Sequence, residues 1–291
     1  MLKNLRRIAE LVSRGVILKR RLPSQFGGGF LFVSPDSGLK YYRRDLHRAD
    51  PTLFQMAKEL VHPGDVVWDF GANVGLFSFA AAGLAGREGH VVAVEPDAWL
   101  VSLLRRSSNL LDPSRSPVVV IPAAVSDSMS LAKLHVASRA RSANFIDGVE
   151  VTEAGGARRI DSVVAVTLDW LLENLPPPQV LKIDVEGMEH RVLTGASKLL
   201  TKVRPRIWCE VLPSNADVIS NILRSAGYDI FNGQTSPAER KPLAKAVWDT
   251  LAVPQEVQPG VLNSGATAGH GAQTMSAPDN GMRHSRQDRN L

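Results

Sequence analysis

Cysteine is nearly absent from this chain: Cys209 is the single one in 291 residues, which excludes an intrachain disulfide framework and any zinc site built from cysteines. That scarcity fits a reducing compartment. Long apolar runs are lacking too. The longest, around Leu76 to Ala85, is far too short to span a bilayer, and Lys3, Arg6 and Arg7 are followed by no continuous apolar block such as a secretion signal needs. A soluble, cytoplasmic protein is expected. Charge of one sign is also modest, 34 Lys and Arg against 29 Asp and Glu, leaving +5. No internal repeat is found. What is present is material for a core: 44% of the residues are hydrophobic, in a length that suits one large domain with appendages or two small ones.

Much of the basic excess sits at the start. Residues Met1 to Arg21 place Leu2, Leu5, Ile8, Ala9, Val12 and Val16 at helical spacing, with Lys3, Arg6, Arg7 and Arg14 largely on the other side. The simpler reading is a helix docked on its own domain; the sharper one is peripheral contact with an anionic membrane surface or a phosphorylated substrate. Phe30 to Val33 and Leu39 to Tyr42 flank Ser34-Pro35-Asp36-Ser37-Gly38, which predicts a hairpin. Residues 1–50 thus read as a basic helix and β-hairpin extension.

From Pro51 the pattern alternates between strand and helix, the signature of a parallel sheet with helices on both faces. Val66 to Phe70 is a strand, Val74 to Ala85 a small-residue helix closed by Gly86, His90 to Glu95 a strand, Trp99 to Leu111 a helix, and Val118 to Val125 a strand. Ser130 to Val166 breaks the rhythm with a strand-like piece, Leu131 to Val136, and a polar stretch containing Gly148, Gly155 and Gly156. This region reads as a loop over the site, where Ser142 and Asn144 could fold over a ligand. Alternation resumes with Val180 to Asp184, a helix from about Met188, the strand Arg206 to Leu212, and a helix over Ala216 to Ala226 stopped by Gly227. Tyr228 to Phe231 and Asp249 to Val253 complete the sheet, so the main domain spans 51–254. Residues 255–291 hold few large apolar side chains, and a disordered tail is expected there.

The first strand ends in Asp69-Phe70-Gly71-Ala72-Asn73-Val74-Gly75, glycines standing where the chain turns from sheet to helix. The run lacks the middle glycine of the dinucleotide pattern, and Asp69 would repel a pyrophosphate at the helix N-terminus. A cationic amino group would be welcome there instead. The second strand ends in Glu95-Pro96-Asp97, and a carboxylate at that place can accept both hydroxyls of a ribose. Together they point to a nucleoside with a positive, phosphate-free tail, which S-adenosylmethionine matches. Ser126 and Asp127, after the third strand, are placed for the adenine edge.

Val67 to Gly75, Val94-Glu95-Pro96, Ala123 to Asp127, Val166 to Asp169 and Leu181-Lys182-Ile183-Asp184-Val185-Glu186-Gly187-Met188-Glu189 closely resemble the FkbM-type family of S-adenosylmethionine-dependent methyltransferases. The resemblance covers roughly Pro51 to Pro254. It implies a class I, Rossmann-like α/β methyltransferase fold, S-adenosylmethionine as cofactor at Asp69, Gly71, Ala72, Asn73, Gly75, Glu95, Pro96, Ser126 and Asp127, and methyl transfer to an oxygen of a sugar or other small metabolite. The acceptor's identity is not implied.

Asp184, Glu186, Glu189, His190 and Glu210 should gather on one rim outside the carboxyl ends of the strands. Methyl transfer to a hydroxyl needs position and a base: Asp184 or His190 could take the proton, and Glu186 or Glu210 could hold neighbouring hydroxyls. Asp184 with another carboxylate could alternatively bind Mg²⁺, although no spacing demands a metal. The rivals are a nicotinamide oxidoreductase, opposed by Asp69; a nucleic-acid methyltransferase, opposed by the acidic rim; and a non-catalytic binding module of the same fold.

Overall fold

The computed structural model describes residues 2–148 and 155–256, with side chains from Leu5 onward. Helix α1 (Leu2–Val12) precedes an antiparallel ribbon of β1 (Leu18–Arg21) and β2 (Phe30–Val33), with Leu18 opposite Val33 and Arg21 opposite Phe30. The expected hairpin between Phe30–Val33 and Leu39–Tyr42 does not form, because Leu39–Tyr42 winds into a 3-10 turn that tucks Tyr41 inward. The partner of β2 is instead the basic Leu18–Arg21, an edge strand whose charges hide its character. Next come α2 (Leu46–Ala49) and α3 (Pro51–Leu60), capped by the carboxylates of Asp45 and Asp50.

The alternating part opens with β3 (Val66–Phe70), α4 (Leu76–Ala85), β4 (His90–Val94), α5 (Ala98–Ser108) and β5 (Val118–Ile121). An inserted stretch holds β6 (Ala124–Val125), β7 (Ser130–Ala137), β8 (Phe145–Ile146) and β9 (Ala157–Val166). Then follow α6 (Leu168–Asn174), β10 (Val180–Ile183), α7 (Glu189–Thr194), β11 (Arg206–Glu210), α8 (Ala216–Ser225), β12 (Tyr228–Asn232) and β13 (Asp249–Pro254).

Seven strands form one sheet in the order β12-β13-β11-β10-β3-β4-β5, with only β13 antiparallel to its neighbours. The chain runs outward from β3 to β5 and returns on the other side at β10, so the strand order reverses between β3 and β10. A crevice opens at their carboxyl ends for that reason. This is the mostly parallel, Rossmann-like α/β architecture that the sequence implied. Successive side chains point to opposite faces, so Val67, Val91 and Ala93 join the core under α3, α4 and α5, while Trp68, Phe70, Val92, Val94, Leu181 and Ile183 join α6, α7 and α8.

Helix α4 is apolar on nearly every side and therefore needs cover on its outer face. The N-terminal extension supplies it. A Cβ on Gly83 would stand 2.2 Å from the carbonyl oxygen of Phe26. Nearby, the Phe32 N–H donates to Ser107 Oγ of α5 at 2.8 Å. The interruption after Ser130 is more regular than a loop: β6-β9-β7-β8 forms a second sheet, with β7 and β9 antiparallel along most of their length. Of the tail expected from residue 255, only Gln255 and Glu256 lie within the described residues. No helix among the described residues is long and apolar enough to cross a membrane.

Candidate functional site

The glycine turn after β3 is built for close backbone approach. Gly71 adopts φ 72°, and a Cβ there would fall 1.8 Å from the carbonyl oxygen of Asp184, so the ends of β3 and β10 nearly touch. Asn73 holds a left-handed φ of 56°, and its N–H donates to Glu95 Oε2 at 2.8 Å. The N–H of Asp97 donates to Glu95 Oε1 at 3.0 Å. Burial pushes the Glu95 carboxyl up to about 7, the two N–H bonds working against that rise.

A cavity of about 280 Å³ lies outside the carboxyl ends of these strands. Gly71, Ala72, Asn73, Glu95, Pro96, Ala123, Ala124 and Val125 line one part of it. Lys40, Tyr41, Asp50, Lys182, Asp184, Glu186 and Glu210 line another, and the insertion contributes Arg141, Ser142, Asn144, Phe145 and Ile146. Of the residues singled out in the sequence, the structure thus brings together Gly71, Ala72, Asn73, Glu95, Pro96, Asp184, Glu186 and Glu210.

Others are placed elsewhere. Asp69 is fully buried: Ser78 Oγ donates to its carboxylate, and Lys182 Nζ lies 3.1 Å from it. The cation anticipated for Asp69 in a ligand is thus supplied by the chain, since Lys182 stands opposite Asp69 in the β10–β3 register. Gly75 caps α4, where a Cβ would strike Phe79 and Leu104 within 2.6 Å, a helix-packing constraint. Ser126 and Asp127 are absent from the cavity wall. Pairing of β6 with the end of β9 carries them past it, Ser126 N–H donating to Val166 O at 2.9 Å and Asp127 lying 3.8 Å from Arg191. His190, on α7, is not part of the wall either. Glu189 turns inward, where it accepts from the Gly187 N–H and from Asn215 Nδ2 at 3.0 Å.

Burial works against the charge on Lys182, but Asp69, Asp184 and Glu210 outweigh it and raise its pKa above the ordinary lysine value. Its Nζ lies 3.4 Å from Asp184 and 3.4 Å from the Gly71 carbonyl, so one ammonium ties the turn to the acidic rim. Burial, then the charge of Asp184, pushes Glu210 up to about 8. Cys209 is buried and its thiol raised by burial, as befits core packing. Among the described residues no group of three or more His, Cys, Asp or Glu side chains is placed to hold a metal ion. Asp184, considered for Mg²⁺, has the Lys182 ammonium as its neighbour.

Sequence reasoning missed Lys40, Tyr41 and Asp50, which reach the cavity from the extension, and Arg141. Lys40 Nζ is 2.5 Å from Asp50 Oδ2. Arg141 donates to Asp36 Oδ2 at 2.9 Å and to Asp97 Oδ2, and its guanidinium lies 4.6 Å from the Trp99 ring centre. Asn144 Nδ2 also donates to Asp97, at 2.9 Å. One arginine therefore straps the insertion to the extension and to the cap of α5. A signal for Lys182 did exist: a lysine within an otherwise apolar strand must find a buried carboxylate.

The chain is 30% identical over 162 residues to the hexuronic acid methyltransferase AglP of Haloferax volcanii, a match covering 55% of this chain and 61% of that one. The chain thus spans under two thirds of the length of that curated relative. Among solved structures, the methyltransferase FkbM of Methylobacillus flagellatus is 17% identical, with 68% of this chain and 49% of that chain covered at a TM-score of 0.43. An S-adenosylmethionine-dependent O-methyltransferase of Thermotoga maritima is 13% identical, with 72% and 66% covered at a TM-score of 0.35. The sequence pattern of the methyltransferase FkbM domain matches residues 69–230, more than half of the chain, and the protein belongs to that family.

Proposed function

We propose that this protein is an S-adenosylmethionine-dependent methyltransferase acting on an oxygen of a sugar, glycan or other small hydroxyl-bearing metabolite. The observation that carries the reading is one cavity with two unlike ends, a buried Glu95 steadied by two backbone N–H groups and an acidic rim of Asp184, Glu186 and Glu210. Glu95 is placed to accept ribose hydroxyls, and Ala123, Ala124, Val125, Phe145 and Ile146 offer apolar walls to a flat base. Each of the three cations lining the cavity, Lys40, Arg141 and Lys182, is already matched by a carboxylate, which disfavours a diphosphate. Asp69 acts behind this wall by holding Lys182. When bound, the cofactor supplies an electrophilic methyl group.

The chain's own part is position and a base. Glu210, raised to about 8, is matched to taking a proton near neutral pH, and it replaces His190 as base because His190 lies off the wall. Asp184, oriented by Lys182, and Glu186 accept hydrogen bonds from neighbouring hydroxyls of a polyol.

The relative in Haloferax volcanii is named for a hexuronic acid, which supports a sugar-type acceptor. Each cation lining the cavity already sits against a carboxylate: Lys40 against Asp50, Arg141 against Asp36 and Asp97, Lys182 against Asp69 and Asp184. That favours an uncharged sugar hydroxyl over a uronate carboxylate as the methylated group. Calorimetric titration of the purified full chain with S-adenosylmethionine, followed by labelled-methyl transfer to neutral and uronic sugars, tests both levels. No cofactor binding, or preference for NAD, rejects the enzyme class; transfer only to carboxylates rejects the hydroxyl.

A further inference from the structure

Helix α1 docks on the domain, but by its polar side. Glu10 and Ser13 are buried. Glu10 accepts from Arg6 Nε at 3.0 Å and lies 3.7 Å from Arg139 Nε, while Arg14 donates to the Ser138 carbonyl at 3.2 Å. The apolar side faces away: Leu5, Ile8, Leu11 and Val12 are 55%, 56%, 47% and 65% exposed. At 3.6 residues per turn these four fall within an arc of about 120°. An ordinary surface helix has the opposite arrangement, its apolar stripe inward and its charges in water.

The charge around this face says what covers it. Residues 2–14, the helix and the two residues after it, carry Lys3, Arg6, Arg7 and Arg14 against Glu10, a net +3 out of the +5 of the whole chain. The one acid, Glu10, is on the buried side and already paired. The exposed apolar arc is therefore bordered by cations such as Arg7 and Arg14, with no carboxylate of its own segment exposed beside it. A protein partner would meet the aliphatic side chains but need a matching acidic rim, whereas an anionic bilayer supplies both an apolar interior and a sheet of negative charge.

We propose that α1 is a peripheral membrane anchor that seats Leu5, Ile8, Leu11 and Val12 in the headgroup region of an anionic lipid bilayer. The helix lies in the plane of the interface, its apolar side toward the acyl chains and its docked side toward the domain. A cavity of about 330 Å³ lined by Arg6 and Glu10 also contains Lys40 and Ser142, which line the main cavity, so the anchor stands beside the candidate site. Binding to the bilayer does not depend on the reaction assigned to that site.

The test is flotation of the full chain with vesicles of phosphatidylcholine, alone or with about a third phosphatidylglycerol. Binding is expected to the mixed vesicles only, to fall with salt, and to drop about tenfold or more in the Ile8→Glu, Val12→Glu double variant. Both positions are exposed, and unchanged circular dichroism shows that the variant folds. Wild type failing to float, or the variant floating as well as wild type, overturns the proposal. So does a wild-type dimer that the double variant dissolves without any vesicle binding, which makes a second copy the occupant. Vesicle binding gained only after residues 257–291 are removed overturns it as well, since the face is then covered in the full chain.

Discussion

Lys182 and Asp69 stand directly opposite each other on adjacent parallel strands, their charges 3.1 Å apart with both side chains out of solvent. The pair is the electrostatic floor of the candidate site, because the same ammonium reaches Asp184 at 3.4 Å.

Removing one member strands the other. Lys182→Met is expected to cost about 3 kcal/mol or more by leaving Asp69 buried without a counter-charge. Asp69→Asn in the same chain should recover much of that loss. Chemical denaturation of the two single variants and the double one measures the coupling; simple additivity would show that the pair is not interacting.

Glu95, as the proposed acceptor of the ribose hydroxyls, is expected to set a pH dependence on cofactor binding. Its pKa of about 7 means that below neutrality the carboxyl is largely protonated and accepts ribose hydroxyls poorly, so affinity for S-adenosylmethionine should tighten as pH rises through 7 and level off above it. Glu95→Gln is expected to weaken binding on the order of a hundredfold and to flatten that profile. Titrations at several pH values decide it, and a sloping profile in the variant would assign the dependence to another group.

Glu210, as the proposed base, is expected to govern turnover in the same direction but at higher pH. As the base it must be ionised, so kcat/KM should climb through about 8. Glu210→Gln should lower kcat on the order of a hundredfold and abolish the climb, with little change in cofactor affinity. Stability runs the opposite way. The folded carboxyl holds its proton up to about 8 while the unfolded one releases it near 4.5, so this group favours folding below that window and loses the contribution as pH rises through it. A variant with full activity leaves the acceptor proton to another base.

Arg141 should be irreplaceable by lysine. Its fork reaches Asp36 and Asp97 together, and a single ammonium cannot reproduce that span. Arg141→Lys is expected to speed hydrogen exchange over residues 137–146 and to weaken cofactor affinity, with the seven-stranded sheet still protected. Unchanged exchange in that stretch would show that Asn144, bonded to Asp97, and Arg158 of β9, which donates to Asp36 at 2.8 Å, suffice to hold the insertion.

The central strands of the main sheet were legible because each is buried along nearly its whole length and reads as a short, largely apolar run with a carboxylate in or just after its last two residues: Val66 to Phe70, His90 to Val94, Val180 to Ile183. The carboxyl ends of β4, β10 and β11 located Glu95, Asp184 and Glu210 as well. Pairing was not legible. Nothing local to Asp69 announces that the residue opposite it, far along the chain, is a lysine, and so its charge was read as awaiting a ligand. The extension misled for a similar reason. Ser34 to Gly38 has turn chemistry, but tertiary burial of Leu31, Val33 and Tyr41 decided which segment pairs with β2. Ser126 and Asp127 were placed by chain order and by the family resemblance, and the two-residue pairing of β6 with β9 diverts them.

Lys40, Tyr41 and Asp50 all precede residue 69, where the family pattern begins, yet they form part of the cavity wall. The wall around the acidic rim of Asp184, Glu186 and Glu210 is thus completed by residues from outside the family pattern. On the proposed reading, exchanging residues 1–50 for those of another family member is expected to change which acceptor is used while cofactor affinity is kept.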